Sequence, residues 1–365
     1  MTSDLRIRLI VLFGGQSAEH EVSCESAYHV LRAVDADRYD IEAVGITREG
    51  QWVRADEAVA ALRPGLRGSL PVAGVGRLET VGAAIEPLPT VQPSVTDDRP
   101  VVVLPLLHGT RGEDGTVQGL LELANVPFVG AGVLGSALCM DKLKAKDVLA
   151  AHGLPQVPWI GLRDTELHLA LARAEAAALH YPLFVKPANL GSSVGVSRVD
   201  EEGELDEACA TAAQYDEWIV VEQGVTGREI EVAVLGNADP RASVPGEVRP
   251  THAFYDYEDK YLDGAADLII PADLPPAVTD EVRRLAVDAF VTLRCDGMAR
   301  VDFFYLSDGD RVLINEVNTI PGFTPISMYP KLWEASGLPY GALIDELVRL
   351  AIDRHDRRSR LSTKR

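Results

Sequence analysis

ARVDFFYLSDGDRVLINEVNTIPGFTPIS, residues Ala299 to Ser327, reads as a β-hairpin followed by a glycine-proline turn. Residues 299–306 and 311–317 are β-branched, aromatic and apolar enough for strands, and Asp308-Gly309 marks the turn between them. A three-residue loop sets Ser307 opposite Arg311, Asp302 opposite Glu316 and Arg300 opposite Asn318. Alternate side chains share a face, so one face carries Leu306, Phe304, Val312 and Ile314 at one end and Asp302, Glu316, Arg300 and Asn318 at the other. A two-residue loop slips the register by one and mixes polar with apolar positions, which favours the first pairing. Three oxygen-bearing side chains on a sheet surface make a seat for Mg²⁺, and the adjacent arginine suits a phosphate that the ion also holds. In a chain with 55 acidic residues the same pattern also fits an ordinary solvated sheet face, and spacing alone leaves both readings open.

Outward from the hairpin, composition narrows the classes. At 365 residues the chain is long enough for two or three domains. A hydrophobic content of 47% with 25% charged residues is that of a globular protein. A net charge of −20 argues against nucleic acid or an anionic membrane as partner. No apolar run approaches a membrane span, and MTSDLRIRLIVLF lacks a signal-peptide layout, so a cytoplasmic location is expected. Cys24, Cys139, Cys209 and Cys295 are far apart and read as reduced thiols.

The chain has 28 arginines and seven lysines. Lys142, Lys144 and Lys146 cluster in MDKLKAK, Lys186 lies in YPLFVKP and Lys260 in YEDKYL. An acidic protein that binds a polyphosphate needs local positive charge, which singles out Lys142, Lys186 and Lys260 by their neighbours; Lys144 and Lys146 read as solvated helix positions.

The remaining chain reads as alternating strands and helices. Arg6–Phe13 and Tyr39–Ile46 are strands flanking a helix, and residues 51–98 are an excursion of helix and loop. VVVLPLLHG from Val101 is a buried parallel strand, followed by a helix over Val117–Ala124 and a short strand at VPFVG. Helices are expected over Leu138–His152 and Thr165–His180, and strands over Leu183–Lys186, Trp218–Glu222 and Arg228–Leu235. NLGSSVGVSRV is a glycine-serine loop whose N–H groups could close over phosphates, although most such loops are turns. HAFYDYEDKYLDGA reads as a loop anchored by its rings. A last helix spans Tyr340–Arg354, and DRRSRLSTKR is a disordered tail.

FGGQSAEHEVS, LHGTRGEDGTVQGLLEL, MDKLKAK, VKPANLGSSVGVS, VEQGVTGREIEVAVLG, FYDYEDKYL, GMARVDFF and INEVNTIPGFTPISMYP occur in this order. Together they resemble the D-alanine–D-alanine ligases of the ATP-grasp superfamily, over roughly residues 6–355. The resemblance implies an α/β, three-domain fold: an N-terminal parallel-sheet domain (1–135), then central (136–223) and C-terminal (224–357) domains clamping ATP, and a tail (358–365). It implies ligation of two D-alanines through an acyl phosphate for peptidoglycan, with ATP as co-substrate and two Mg²⁺ (or Mn²⁺), in a homodimer.

By the same resemblance, Asp302, Glu316 and Asn318 hold the metals, and Lys142, Lys186 and Ser193 meet the ATP phosphates. Glu222 takes the adenine amine, Glu229 the ribose hydroxyls and the Val225 backbone the base. Arg300 and the Gly322 N–H are oxyanion donors. Glu19 reads the first D-alanine's ammonium with His108 nearby; taken singly, Glu19 also fits a helix cap and His108 a core histidine. Ser192 and Tyr261 latch the loops together with Glu19, Lys260 reaches the transferring phosphate, and Ser327 and Met328 line the second D-alanine's pocket. Tyr261 in an intact FYDYEDKY implies an amine as second substrate. The neighbouring alternatives are a D-alanyl-D-lactate or D-alanyl-D-serine ligase, and a distant one is a nucleotide-binding protein that is not a ligase. The loop ANLGSSVG departs from the REGSSVG of some members, which leaves the contacts of Asn189 and Leu190 open.

Overall fold

Ile7–Gly14 (β1) is buried at the six positions from Leu9 onward because it runs through the middle of a sheet covered on both faces. In the computed structural model, which describes residues 6–56, 76–93, 99–249 and 267–362, three sheets organise the chain. The first has the order β4-β3-β2-β1-β5, with Tyr39–Ile46 (β2) and Val101–Pro105 (β5) parallel to β1 on either side. Between them, Trp52–Arg54 (β3) and Ala83–Ala84 (β4) pair antiparallel at the edge. The expected excursion of helix and loop therefore contains two short strands as well as a helix at Pro87–Val91 (α2); residues 57–75 and 94–98 lie outside the described residues.

At the carboxyl end of β1 the chain turns through Gly14 and Gly15, with φ of 87° and 101°. A Cβ on Gly14 would stand 2.3 Å from the Ile46 carbonyl oxygen, so only glycine permits this turn into His20–Ala33 (α1). Thr116–Leu123 (α3) follows β5, and VPFVG contributes only a single parallel bridge, Phe128 to Val103.

The helix expected over Leu138–His152 is two helices, Val133–Met140 (α4) and Lys142–Ala151 (α5). Asp141 breaks them with extended backbone (φ −80°, ψ 99°) and caps the second by accepting from the Lys144 N–H at 3.0 Å. Lys142 thereby opens a new helix. The second sheet, β6-β9-β7-β8, joins Trp159–Arg163 (β6), Leu183–Pro187 (β7), Ser197–Val199 (β8) and Trp218–Gln223 (β9), all antiparallel. Ala170–Ala176 (α6) and Leu205–Ala212 (α7) cover one face of it. The single helix expected over Thr165–His180 is a 3₁₀ turn, Asp164–Leu169, ahead of the short α6.

The third sheet runs β13-β12-β10-β14-β15 and is antiparallel throughout. Its members are Arg228–Gly236 (β10), Gly246–Arg249 (β12), Asp267–Ile269 (β13), Gly297–Leu306 (β14) and Arg311–Asn318 (β15), with Arg241–Ala242 (β11) paired to β10. Pro276–Thr292 (α8) covers one face, where Val282, Leu285 and Phe290 meet Ile230, Val301 and Phe303. Met328–Ala335 (α9) and Tyr340–Ser359 (α10) close the chain. Leu343, Ile344, Leu347 and Val348 of α10 share one core with Leu9, Val11, Phe13 and Leu104 of the first sheet and with Val30 and Leu31 of α1. Each such side chain contributes roughly 1.5–3 kcal/mol through burial. The tail expected to be disordered starts as helix to Ser359, because Arg358 pairs with Glu122 at 2.6 Å. Among the described residues no helix is long and apolar enough to cross a membrane.

Candidate active site

The face of the third sheet away from α8 carries the hairpin acids. Asp302 pairs with Glu316 and Arg300 with Asn318, as the sequence pattern requires. The turn end differs: Leu306, not Ser307, faces Arg311, and the register shifts by one between Asp302 and Phe303. Ile314 pairs with Phe303 while Glu316 pairs with Asp302, so Asn315 is the extra residue of a β-bulge. Val312 and Ile314 consequently lie in the α8 core with Phe303 and Tyr305, not on the face of Asp302. The bulge reconciles an apolar turn end with an acidic open end.

On that face β10 adds Glu231, directly across from Asp302, and Glu229, across from Phe304. Arg300 donates from Nε to Asp302 Oδ1 and from Nη2 to Oδ2, both at 2.7 Å, and Nε lies 3.0 Å from Glu231 Oε2. Burial would lower the guanidinium's pKa, but the Asp302 and Glu231 carboxylates overcome it and hold Arg300 well above its ordinary value. Asn318 donates from Nδ2 to Asp302 Oδ2 at 3.0 Å, which leaves the amide oxygen of Asn318 for a cation. Two carboxylates and an amide oxygen are the hard donors that Mg²⁺ or Mn²⁺ takes.

Across the cleft stands a cluster of lysines. Lys142, in the first turn of α5, donates to the Leu190 carbonyl at 2.7 Å and lies 3.7 Å from Glu316 Oε2. Lys186 on β7 donates to Glu222 Oε2 at 2.6 Å. Lys146 is not the solvated residue the sequence suggests: it is 2% exposed and its Nζ lies 2.9 Å from Glu222 Oε1. It sits one helical turn beyond Lys142, a spacing that could have revealed it. Burial would raise the Glu222 carboxyl, yet Lys146 and Lys186 bring it down to about 2. Burial lowers Lys146 despite Glu222, whereas in Lys186 the Glu222 charge overcomes burial and raises it.

The glycine-serine loop closes the cleft toward β1. Ser192 and Ser193 adopt φ of 53° and 59°, a left-handed conformation that costs serine free energy and is held by contacts elsewhere. Ser192 Oγ donates to Glu19 Oε1 at 2.5 Å, joining this loop to the segment between β1 and α1. At the loop's base Asn189 donates through its backbone N and Nδ2 to Asp216 Oδ2, at 2.7 and 3.0 Å, which settles its contact. His108, beyond β5, is 5% exposed and shares 3.0 Å with the Ile320 carbonyl through Nδ1; its buried Nε2 has no hydrogen-bond partner among the described residues. Burial lowers its pKa, so the ring is neutral at pH 7 and Nε2 carries a lone pair. Glu113, which sequence reading passed over in HGTRGEDG, accepts from the Gly109 N–H at 2.8 Å. Burial and Glu19 push its carboxyl up to about 8.

After β15, Gly322 and Ser327 face each other: a Cβ on Gly322 would lie 3.0 Å from Ser327 Oγ. That hydroxyl also meets the Thr324 N–H at 3.1 Å, and Met328 is buried beside it. Val225 is half-buried in the connection between β9 and β10. Lys260, Tyr261 and the aromatic loop lie outside the described residues.

Comparison with known proteins gives matches along the whole chain. Family models described as "D-ala D-ala ligase N-terminus" and "D-ala D-ala ligase C-terminus" match residues 8–131 and 148–349. The chain is 45% identical to a D-alanine–D-alanine ligase of Listeria welshimeri, covering 99% of each. It is 47% identical to D-alanine–D-alanine ligase A of Salmonella typhimurium, covering 98% of this chain and 99% of that one. Among solved structures, the D-alanine–D-alanine ligase from Coxiella burnetii superposes with a TM-score of 0.79 at 38% identity, over 98% of this chain and 97% of that one. The VanG D-Ala:D-Ser ligase from Enterococcus faecalis gives 0.77 at 34% identity, over 95% and 99%.

Proposed function

Because the chain belongs to the D-alanine–D-alanine ligase family, we propose that its cleft carries out the ATP-dependent ligation of two D-alanines with the division of labour described below. The reaction runs through an acyl phosphate. One D-alanine carboxylate takes the γ-phosphoryl group of ATP; the amine of the second then attacks that carbonyl carbon, and phosphate leaves. Such chemistry is mainly positioning and charge neutralisation. The observation that carries the assignment is the 3.7 Å approach of Lys142 to Glu316, which brings the lysine wall directly against the acidic hairpin.

On this reading Lys142, Lys186 and Ser193 hold the ATP phosphates, and Lys260 reaches the group in transit. Glu222 accepts the adenine amine on lone pairs its two lysines leave free, Val225 meets the base through its backbone, and Glu229 takes the ribose. Asp302, Glu316 and Asn318 would hold two Mg²⁺ or Mn²⁺; the Glu316 side chain is 30% exposed and the Asn318 amide oxygen points away from its own donated bond. When bound, the ions offset charge on the β- and γ-phosphates. Glu19 takes the first D-alanine's ammonium beside the neutral His108, and the Ser192 bond to Glu19, with Tyr261, fixes the phosphate loop at that amino acid. Arg300 and the Gly322 N–H face the oxyanion of the tetrahedral step. Ser327 and Met328 receive the second D-alanine.

We assign residues 1–135, 136–223 and 224–357 to N-terminal, central and C-terminal domains, and take the enzyme to be a cytoplasmic homodimer. Supplying Mg²⁺, ATP and D-alanine alone tests the function. Phosphate release with a D-alanyl-D-alanine product is expected; release only on adding D-lactate or D-serine would overturn it.

A further inference from the structure

Glu231 has no part in the assignment above, yet it is 8% exposed on the sheet face that carries the acids. It stands across β10 and β14 from Asp302, which in turn stands across from Glu316. Ala233, the residue opposite Arg300 on β10, is small and leaves the guanidinium room to lie over β10. Arg300 Nε then donates to Asp302 Oδ1 at 2.7 Å and forms an ion pair with Glu231 Oε2 at 3.0 Å.

Asp302 is over-committed in this arrangement. Both its oxygens accept from Arg300, and Oδ2 also accepts from Asn318. A carboxylate that turns to a divalent cation must give up part of that donation, and a buried guanidinium that loses one carboxylate needs another. Glu231 is within reach on the side away from Glu316. We propose that Glu231 is a positioning residue that retains Arg300 in its oxyanion-facing orientation when Asp302 turns to the metal. The inference rests on the assignment of Arg300 and Asp302 in the preceding section.

The test is a double-mutant cycle of Glu231→Gln and Arg300→Met, read first on the Mg²⁺ concentration needed for half-saturating ADP binding by calorimetry, which requires no turnover. Outer-shell partners of this kind are worth about 10–100-fold. Glu231→Gln is expected to raise the Mg²⁺ requirement about 3–10-fold and to lower kcat about 10–100-fold, with KM for ATP within about twofold. Glu231→Asp, which keeps the charge, recovers part of both. In the Arg300→Met background, Glu231→Gln adds less than about a twofold change, since Glu231 acts through the guanidinium. An unchanged Mg²⁺ requirement and kcat, or equal losses in both backgrounds, would overturn the inference. Wild-type turnover in Arg300→Met and Asp302→Asn would instead sink the site assignment itself.

Discussion

Replacing Glu222 by Gln isolates the electrostatics of the lysine wall. The carboxylate is 3% exposed, accepts from Lys186 at 2.6 Å and forms an ion pair with Lys146 at 2.9 Å. Gln keeps the shape but removes the charge, leaving two ammonium groups facing a neutral amide. Removing one partner of a buried pair costs about 3–5 kcal/mol. The titration points to the same size: a carboxyl held at about 2 against its ordinary 4.5 corresponds to about 3 kcal/mol favouring the charged folded form at neutral pH. The sign follows from the depressed folded value. Stability is present above 4.5 and is lost as pH falls toward 2, by about 0.8 kcal/mol at pH 4 and about 2 kcal/mol at pH 3. Urea denaturation of both proteins at pH 7, 4 and 3 measures this. The variant should be about 3–5 kcal/mol less stable at pH 7, with the gap narrowing by about 2 kcal/mol at pH 3. A gap under about 1 kcal/mol at pH 7, or one that does not narrow, would refute the reasoning.

Asp302→Asn and Glu316→Gln should each abolish phosphate release while circular dichroism stays unchanged, because each keeps the side chain's shape on the sheet face away from the α8 core; near wild-type release in both would mean the hairpin is not the metal seat. Ser192→Ala removes a hydroxyl bond to the Glu19 carboxylate, a class worth about 1.5–3 kcal/mol, so kcat/KM for D-alanine should fall about 10–100-fold. Initial rates at varied D-alanine check it. Glu113 is raised to about 8 in the folded chain, so stability falls as pH rises from 4.5 toward 8, where the unfolded chain has lost a proton that the folded one retains. Glu113→Gln removes that loss, and its melting temperature relative to wild type should be higher at pH 8 than at pH 5.

The hairpin was legible because Asp302 and Glu316 sit at positions whose alternation survives a one-residue bulge. The bulge itself was not, since a single extra Asn315 leaves no compositional trace. Lys142 and Lys186 stood out by their neighbours. Lys146 did not, because the carboxylate that draws it inside arrives from β9, 76 residues later in the chain. Likewise Asp141 looks like one more polar helix residue until its cap on Lys144 divides α4 from α5. Strands of two or three residues, β3 and β4, are shorter than any alternation that could announce them. Roles for Glu222, Glu229 and Ser327 came from the resemblance of eight ordered stretches, not from spacing.

The sharing of one core by β1, β5 and α10 bears on the order in which the chain can mature during synthesis. The last strand of the first sheet is complete at Pro105, but the helix that covers Leu9, Val11 and Phe13 begins at Tyr340, about 235 residues later. At about 5–20 residues per second the ribosome needs roughly 12–47 s to supply it. Through that interval an apolar sheet face waits partly uncovered, and a nascent chain cut before Tyr340 should be captured by chaperones even though Glu19 and Ser192, which bond to each other, have both already been made.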